Sequence, residues 1–392
     1  MTALDEFRSQ TRTWLAQNCP PGARGPGQIP TGSTKFRIDD ADTQRWLEIM
    51  AERGWTAPMW PKAYGGGGLT KEEYVVLIEE MRRIEARTPL MGMGTSMIGP
   101  TLLELGTEEQ KRRHIPPIVR GELGWCQGYS EPGAGSDLAS LRTRAEDRGD
   151  HFLINGQKIW TSGAQYADWM FALVRTNPDV PKHEGISFVL LTMNQPGVTV
   201  KPIRLISGTS PFCETFFDNA IAKKEDLVGE INKGWSVGKR LLQHERSGMS
   251  ALVGGGPRDP GPNLSEVAKT YIDQNNGKLG EPALRAEIIR HAMNSRAFRL
   301  TQRRTVEESS GSTPGPATSI FKMYGTELQQ QRSALLVKIR GFRGLGWSGD
   351  TFTNEEIEGM RSFLGGRAAS IYSGSNEIQR NIVAKRVLGL PD

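Results

Sequence analysis

Phe152-Leu153-Ile154-Asn155-Gly156-Gln157-Lys158-Ile159-Trp160 is the stretch on which the reading of the fold turns. Apolar residues flank Asn-Gly, a dipeptide that tolerates positive φ, so the pattern predicts two strands around a tight turn. Strand-like runs continue at 169–175, 186–193, 198–203 and 212–217, with no helical period between them. Evenly spaced strands without intervening helices predict a small antiparallel barrel or sandwich over about 123–233.

On either side the period changes to that of helices. Thr70-Lys71-Glu72-Glu73 is a capping box, in which the Thr hydroxyl accepts an early amide and the Glu reaches back. Behind it Tyr74, Leu77, Ile78, Met81 and Ile84 fall on one helical face. Thr107-Glu108-Glu109-Gln110 repeats the cap, and Gly/Pro-rich connectors lie at 20–34 and 60–68. Beyond Gly234 the helical period returns at about 235–252, 282–309, 317–340 and 376–388, broken at 254–257 and 311–316. The fold class is therefore α+β, with a helical domain over 1–122, a β domain over 123–233 and a second helical domain over 234–392.

Composition sets the outer bounds. The chain has 392 residues, of which 37% are hydrophobic and 24% charged, as in ordinary globular proteins rather than membrane or disordered ones. No run approaches the roughly 20 apolar residues of a membrane span. Asp5 and Glu6 in the first ten residues argue against a signal peptide. Three widely spaced cysteines exclude a disulfide framework and fit a reducing cytoplasm. Lys and Arg outnumber Asp and Glu by 49 to 44, a surplus that suits a polyanionic partner or a solvated basic surface.

Several apparent motifs fail on context. Gly234-Trp235-Ser236-Val237-Gly238 matches a serine nucleophile elbow, but the preceding Gly229-Glu230-Ile231-Asn232-Lys233 cannot be a buried strand. Gly133-Ala134-Gly135-Ser136-Asp137-Leu138 begins like a dinucleotide fingerprint and lacks both the third glycine and the βαβ setting. No P-loop is present, and the five histidines have no ligand spacing, so no metal is expected.

Two segments remain. Residues 125–137 (WCQGYSEPGAGSD) carry small residues with free amides and hydroxyls, and Trp160-Thr161-Ser162 offers a stacking wall beside two hydroxyls. Taken singly, each reads better as a Gly-rich turn and a core Trp. Together with Trp60 to Gly68, Ile371-Tyr372-Ser373-Gly374-Ser375-Asn376-Glu377-Ile378-Gln379-Arg380 and the closing Arg386-Val387-Leu388-Gly389, they resemble the acyl-CoA dehydrogenase flavoproteins. The resemblance spans almost the whole chain. It implies an N-terminal helical domain, a central antiparallel β-barrel domain that binds flavin, and a C-terminal four-helix bundle.

The resemblance also implies FAD as cofactor and an acyl-CoA thioester as substrate, oxidised to the trans-2-enoyl-CoA. By position it assigns Gln127, Tyr129, Ser130, Gly135, Ser136, Trp160, Thr161, Ser162, Ser375 and Glu377 to the cofactor. Ser136, Arg246 and the Ser373 amide fall on the substrate. Many members place a catalytic glutamate where this chain has Ser373, and a hydroxyl is too weak a base for α-proton removal. A minority branch carries that glutamate directly before an arginine on the first C-terminal helix, which assigns Glu245 here, with Glu377 as its rival. The usual Arg-x-x-Phe-Gly and Gln-x-x-Gly-Gly-x-Gly motifs are replaced around 277–285 and by KIRGFRGLG at 338–346, where Arg340 and Arg343 read either as groups that neutralise phosphate or, no less well, as a solvated basic helix end.

The leading expectation is a dehydrogenase that passes electrons to an electron-transfer flavoprotein, as a homodimer or homotetramer, with no nucleic-acid partner. An oxidase or flavin monooxygenase on the same fold is an alternative, as is a non-catalytic subunit of a mixed oligomer. A DNA-binding relative of the alkylation-response type is disfavoured, because those carry a further basic domain and this chain stops four residues after Leu388.

Overall fold

The computed structural model describes residues 2–36, 38–253, 262–308 and 319–391, with the side chains of 245–253 and 306–308 outside that description. It divides into two compact units, Met1–Ile203 with Pro211–Met249, and Arg204–Ser210 with Ser250–Asp392.

The first unit begins with α1 (Ala3–Asn18), α2 (Ala41–Glu52), α3 (Lys71–Arg83), α4 (Gly99–Leu105) and α5 (Glu108–Val119). Both capping boxes form: Thr70 accepts from the Glu73 amide and Thr107 from the Gln110 amide, with the reciprocal side-chain bonds in place. On α3 the buried face includes Leu77 and Met81 as expected, and adds Val76 and Glu80. Glu80 is buried because its carboxylate is gripped by Arg12 at 2.8 and 2.9 Å, Arg83 at 2.9 Å and Arg8 at 3.3 Å. Those three guanidiniums, Arg12 foremost, hold its pKa at about 2 against a usual 4.5.

The strands are β1 (Trp125–Gly128), β2 (Arg144–Asp147), β3 (His151–Ser162), β4 (Trp169–Arg175), β5 (Ile186–Thr192), β6 (Val198–Ile203) and β7 (Phe212–Lys223). They form one sheet in the order β1-β4-β2-β3-β7-β6, with β5 on β4. Most pairings are antiparallel, but β1 and β2 both run parallel to β4, Gln127 opposite Phe171 and Arg144 opposite Arg175. The predicted hairpin at Asn155-Gly156 is a correction. Residues 151–162 are one strand, antiparallel to both β2 and β7, and Asn-Gly makes a bulge where the register to β7 shifts. A bulge and a two-residue turn both call for a residue of unusual φ, so the local signal is shared. Gly156 has φ +146°, and a Cβ there would lie 2.8 Å from the Thr143 backbone, so the fold itself demands glycine.

α6 (Gly234–Val253) follows, its first turns laid against β4 and β5. An added Cβ on Gly234 would clash with Phe188 backbone, and one on Gly238 would meet Leu173 at 3.2 Å and the Tyr129 hydroxyl at 3.3 Å. Ser236 lies inside this helix and donates to the Lys233 carbonyl at 2.7 Å, which is incompatible with a nucleophile elbow. Apolar residues from all three segments share one core, including Ile98, Leu102, Tyr129, Phe171, Phe188 and Leu241.

The second unit contains α7 (Leu264–Tyr271), a short hairpin of β8 (Gln274–Asn275) and β9 (Lys278–Leu279), α8 (Pro282–Glu308), α9 (Ser319–Arg340), α10 (Asn354–Gly365) and α11 (Asn376–Ile382). The sequence pattern missed α7, the hairpin and α10, whose lengths allow too few apolar repeats to stand out. Leu335, Leu336 and Ile339 of α9 pack with Leu264, Val267, Leu284 and Ile288. Among the described residues no helix is long and apolar enough to cross a membrane, and no group of three His, Cys, Asp or Glu could hold a metal ion. All three cysteines are free and buried.

Candidate functional site

The expected cofactor residues on the first unit gather along one loop and the end of one strand. The loop begins as β1 ends. Tyr129 is buried, its ring edge-on to Phe171 at 6.1 Å and Phe188 at 6.4 Å. The Ser130 carbonyl accepts from the Ile159 amide of β3 at 2.9 Å, tying loop to strand. Glu131 and Ala134 exchange two backbone bonds of 3.0 Å, which folds Pro132-Gly133 outward. At Gly133 and Gly135 an added Cβ would meet nothing within 4 Å, and neither has positive φ. The fold places no demand for glycine there, and the open space leaves room for a ligand to lie close to the backbone. Ser136 is exposed beside them, and Asp137 is clamped by Lys182 at 2.8 and 2.9 Å and by the Ser140 hydroxyl.

Trp160 is the strained residue of this edge. It has φ +59°, at a second register shift between β3 and β7, and its side chain is 53% exposed. A residue with a Cβ in the left-handed region costs roughly 1–2 kcal/mol, and such strain gathers at functional sites. The bulge turns the indole out of the sheet while its ring edge rests on Phe212 at 6.2 Å. Thr161 next to it is 1% exposed, and its hydroxyl has no hydrogen-bond partner among the described residues. Ser162 is half-buried one residue on. A planar heterocycle with polar edges fits this set: a wall, an orphaned buried hydroxyl and an open glycine turn.

What holds the loop was not legible beforehand. Lys158 is fully buried and its ammonium donates to Glu131 at 2.8 Å and to the Tyr129 carbonyl at 3.1 Å. The Glu131 carboxylate also accepts from the Arg142 amide at 2.6 Å and the Thr143 amide at 2.9 Å. Burial pulls Lys158 down to about 8, opposed by Glu131; burial pushes Glu131 up, and the Lys158 charge with these bonds more than offsets it. Arg175 adds bonds to the carbonyls of Ala139 at 2.6 Å and Leu141 at 3.2 Å. The signal was present as a lysine between Gln157 and Ile159 on a strand, where its facing partner cannot be read. A cavity of about 750 Å³ opens beside the loop's end, lined by Arg142, Arg144 and Lys182 but also by Glu146, Asp147 and Asp179, so its charge selects no ligand.

On the second unit, Ser373 has φ +53° and Gly374 φ +82°, an exposed left-handed turn leading into α11. An alanine at Gly374 would meet Gln379 at 2.6 Å. Ser375 is the N-cap of α11, accepting from the Ile378 amide at 3.4 Å. Glu377 is exposed, and backbone and Ser375 hydrogen bonds, then the charges of Arg380 and Lys322, hold its carboxyl below the usual range. Such a carboxylate is a poor proton acceptor, which weakens it as rival base. Asn376, which sequence reasoning passed over, is the buried anchor: it accepts from Lys322 at 3.2 Å and Thr326 at 3.3 Å and donates to the Met323 carbonyl at 3.3 Å.

Arg340 and Arg343 are corrected as phosphate ligands. Arg340 is buried and donates to Glu355 at 2.7 Å, and Arg343 pairs with Glu356 at 3.3 Å, so both charges are neutralised within the unit. The side chains of Glu245 and Arg246 lie outside the described residues; their backbone belongs to α6.

Models of the acyl-CoA dehydrogenase N-terminal, middle and C-terminal domains match residues 3–122, 126–220 and 232–388. The chain is 38% identical over 397 residues to the acyl-CoA dehydrogenase IpdE1 of Mycobacterium tuberculosis, a match covering 100% of this chain and 99% of that protein. Among solved structures, the Tcur3481-Tcur3483 steroid ACAD is 32% identical with TM-score 0.74, covering 99% of this chain and 98% of that one. The ChsE4-ChsE5 complex from Mycobacterium tuberculosis is 29% identical with TM-score 0.73, covering 100% and 98%.

Proposed function

The chain belongs to the acyl-CoA dehydrogenase family, FAD-dependent oxidoreductases acting on CH–CH bonds, and we propose that it desaturates an acyl-CoA thioester to the trans-2-enoyl-CoA with Glu245 as the base. The observation that carries the cofactor assignment is the buried, unpartnered Thr161 hydroxyl beside the strained Trp160. Bound FAD supplies the acceptor for the β-hydride. Thr161, Ser162 and Gln127 would hold its ring edges, Trp160 would wall the ring, and the 130–136 turn would serve the cofactor and the pantetheine arm. The family resemblance assigns Ser375 and Glu377 to the cofactor as well.

Glu245 takes the α-proton onto its carboxylate as the α-carbon–hydrogen bond breaks. The Ser373 amide donates to the thioester oxygen, where negative charge builds, as in an oxyanion hole. Arg246 binds substrate. Support for Glu245 is the serine at the usual position together with the low, exposed carboxylate of Glu377. Glu245→Gln and Glu377→Gln, mixed anaerobically with acyl-CoA and read by loss of absorbance of the bound flavin, test this: the first abolishes reduction, and the second still reduces the flavin it retains. Full reduction by Glu245→Gln overturns the assignment.

We read the acyl group as bulky and ring-bearing, on the likeness to a structure described as a steroid ACAD. A panel of straight-chain and steroid-derived acyl-CoAs, scored by flavin bleaching, decides it. The electron acceptor is an electron-transfer flavoprotein; peroxide release in air without it points to an oxidase instead. The three buried free thiols suit a cytoplasmic location.

A mixed oligomer is the second reading. Arg340 and Arg343 are consumed by Glu355 and Glu356, and the similar structures are described by pairs of chains. A partner chain then completes the cofactor site, and flavin below one per chain after purification alone, restored by that partner, is the expected result. Full flavin in the isolated chain favours a homodimer or homotetramer.

A further inference from the structure

α4 carries a carboxylate that no part of the proposed reaction uses. Glu104 accepts from the Arg240 guanidinium at 2.7 and 2.9 Å, and its Oε2 lies 3.0 Å from His244 Nε2. Arg240 and His244 are one helical turn apart on α6, so a single carboxylate grips two successive turns of that helix. Arg240 is itself steadied by Gln243 at 2.8 Å.

The grip comes from a fixed point. Ile98, Thr101 and Leu102 around it are fully buried, and a Cβ at Gly99 would clash with the Trp60 ring, so α4 has no room to shift. On α6, Leu241 is fully buried in the same core as Ile98 and Leu102. Leu241 and Gly238 set how closely the helix sits, and the partly exposed Glu104 pair, 41% exposed at the carboxylate and 39% at Arg240, adds a directional resistance to rotation about its axis. Arg240 and His244 supply that resistance. The residue after His244 is Glu245.

We propose that Glu104 is a positioning residue for the reaction, holding the rotation of α6 through Arg240 and His244 so that Glu245 is presented to the substrate α-carbon. The inference rests on Glu245 being the base. A side-chain tip stands roughly 5–6 Å from a helix axis, so a roll of about 15° carries it about 1.5 Å. A misplacement of about 1 Å can cost roughly a hundredfold in rate.

Glu104→Ala and Glu104→Gln, with wild type and Glu245→Gln, test it on the flavin-loaded enzyme. Three readings are taken: the limiting rate of flavin reduction per bound flavin, the Kd of a non-oxidisable acyl-CoA analogue, and amide hydrogen exchange of 241–249. Positioning lowers the limiting rate about 10- to 100-fold in Glu104→Ala, and less in Glu104→Gln, which keeps an acceptor oxygen. It speeds exchange in α6 and raises Kd less than it lowers the rate, since Arg246 rides on the same helix. A limiting rate per flavin within about twofold of wild type, or unchanged exchange in α6, overturns the proposal. Should Glu104→Ala fail to fold, Glu104→Gln decides by the same readings. Undiminished reduction in Glu245→Gln removes the base assignment and this inference together. An inactive Glu245→Gln beside unaffected Glu104 variants removes this inference alone.

Discussion

Lys158→Met isolates the buried pair that holds the flavin-facing loop. In the wild type the ammonium meets Glu131 at 2.8 Å and the Tyr129 carbonyl at 3.1 Å, both out of water. Methionine fills similar space but removes the charge, leaving a buried carboxylate with the Arg142 and Thr143 amides as its remaining donors. Orphaning one member of a buried pair costs about 3–5 kcal/mol, and the two retained amides place this case near the lower end. The Tyr129 carbonyl loses its bond as well, adding about 1 kcal/mol. The expected loss at pH 6.5, where Lys158 with its pKa of about 8 is still charged, is therefore about 4 kcal/mol, a large share of the stability of a typical domain. Glu131→Gln in the same chain removes the stranded charge while keeping an acceptor, and recovers about 2 kcal/mol.

The sign with pH is fixed. In Lys158→Met the folded Glu131 has a pKa above its unfolded value, so the deficit is small below the unfolded pKa and grows as pH rises through the folded one. Urea unfolding followed by tryptophan fluorescence at pH 4.5 and pH 6.5, both below the Lys158 pKa of about 8, with the flavin-to-protein ratio, measures all of this. A loss below about 1 kcal/mol, a deficit independent of pH, or a double variant no better than the single refutes the reasoning.

Gly135→Ala and Gly156→Ala separate two uses of glycine: the first leaves stability within about 0.5 kcal/mol and weakens flavin retention, while the second destabilises by about 2 kcal/mol or more through Thr143. Thermal unfolding and flavin titration read both. Trp160→Gly relieves the left-handed strain, so apoprotein stability holds or rises by about 1 kcal/mol while flavin affinity falls; equal loss of both would mean the indole is only core. Glu80, at about 2 when folded against a usual 4.5, contributes stability present above pH 4.5 and lost as pH falls toward 2. Its Arg partners are half-exposed, so the margin of wild type over Glu80→Gln is about 2 kcal/mol near neutrality, shrinking toward zero in acid unfolding curves.

Sequence alone carried the helix, sheet, helix order and the short segments by which the family is known. Caps at Thr70 and Thr107, helical faces and alternating strands are local patterns, each readable within a few residues because a helix or strand repeats over that distance. The ordered motifs from Trp60 to Arg380 likewise survive as short words, and they carried the family. Tertiary structure decided what depends on partners far along the chain. Asn155-Gly156 is a bulge rather than a turn because β7, some sixty residues on, continues to pair with β3 past it. Gly135 and Gly156 look alike in sequence; only the Thr143 backbone against one and open space above the other tells them apart. Lys158 is a structural cation because Glu131 is folded onto it, and Arg340 is no phosphate ligand because Glu355 reaches it first. Charge complementarity of this kind has no period. It depends on which buried groups meet, and burial is a property of the packed chain.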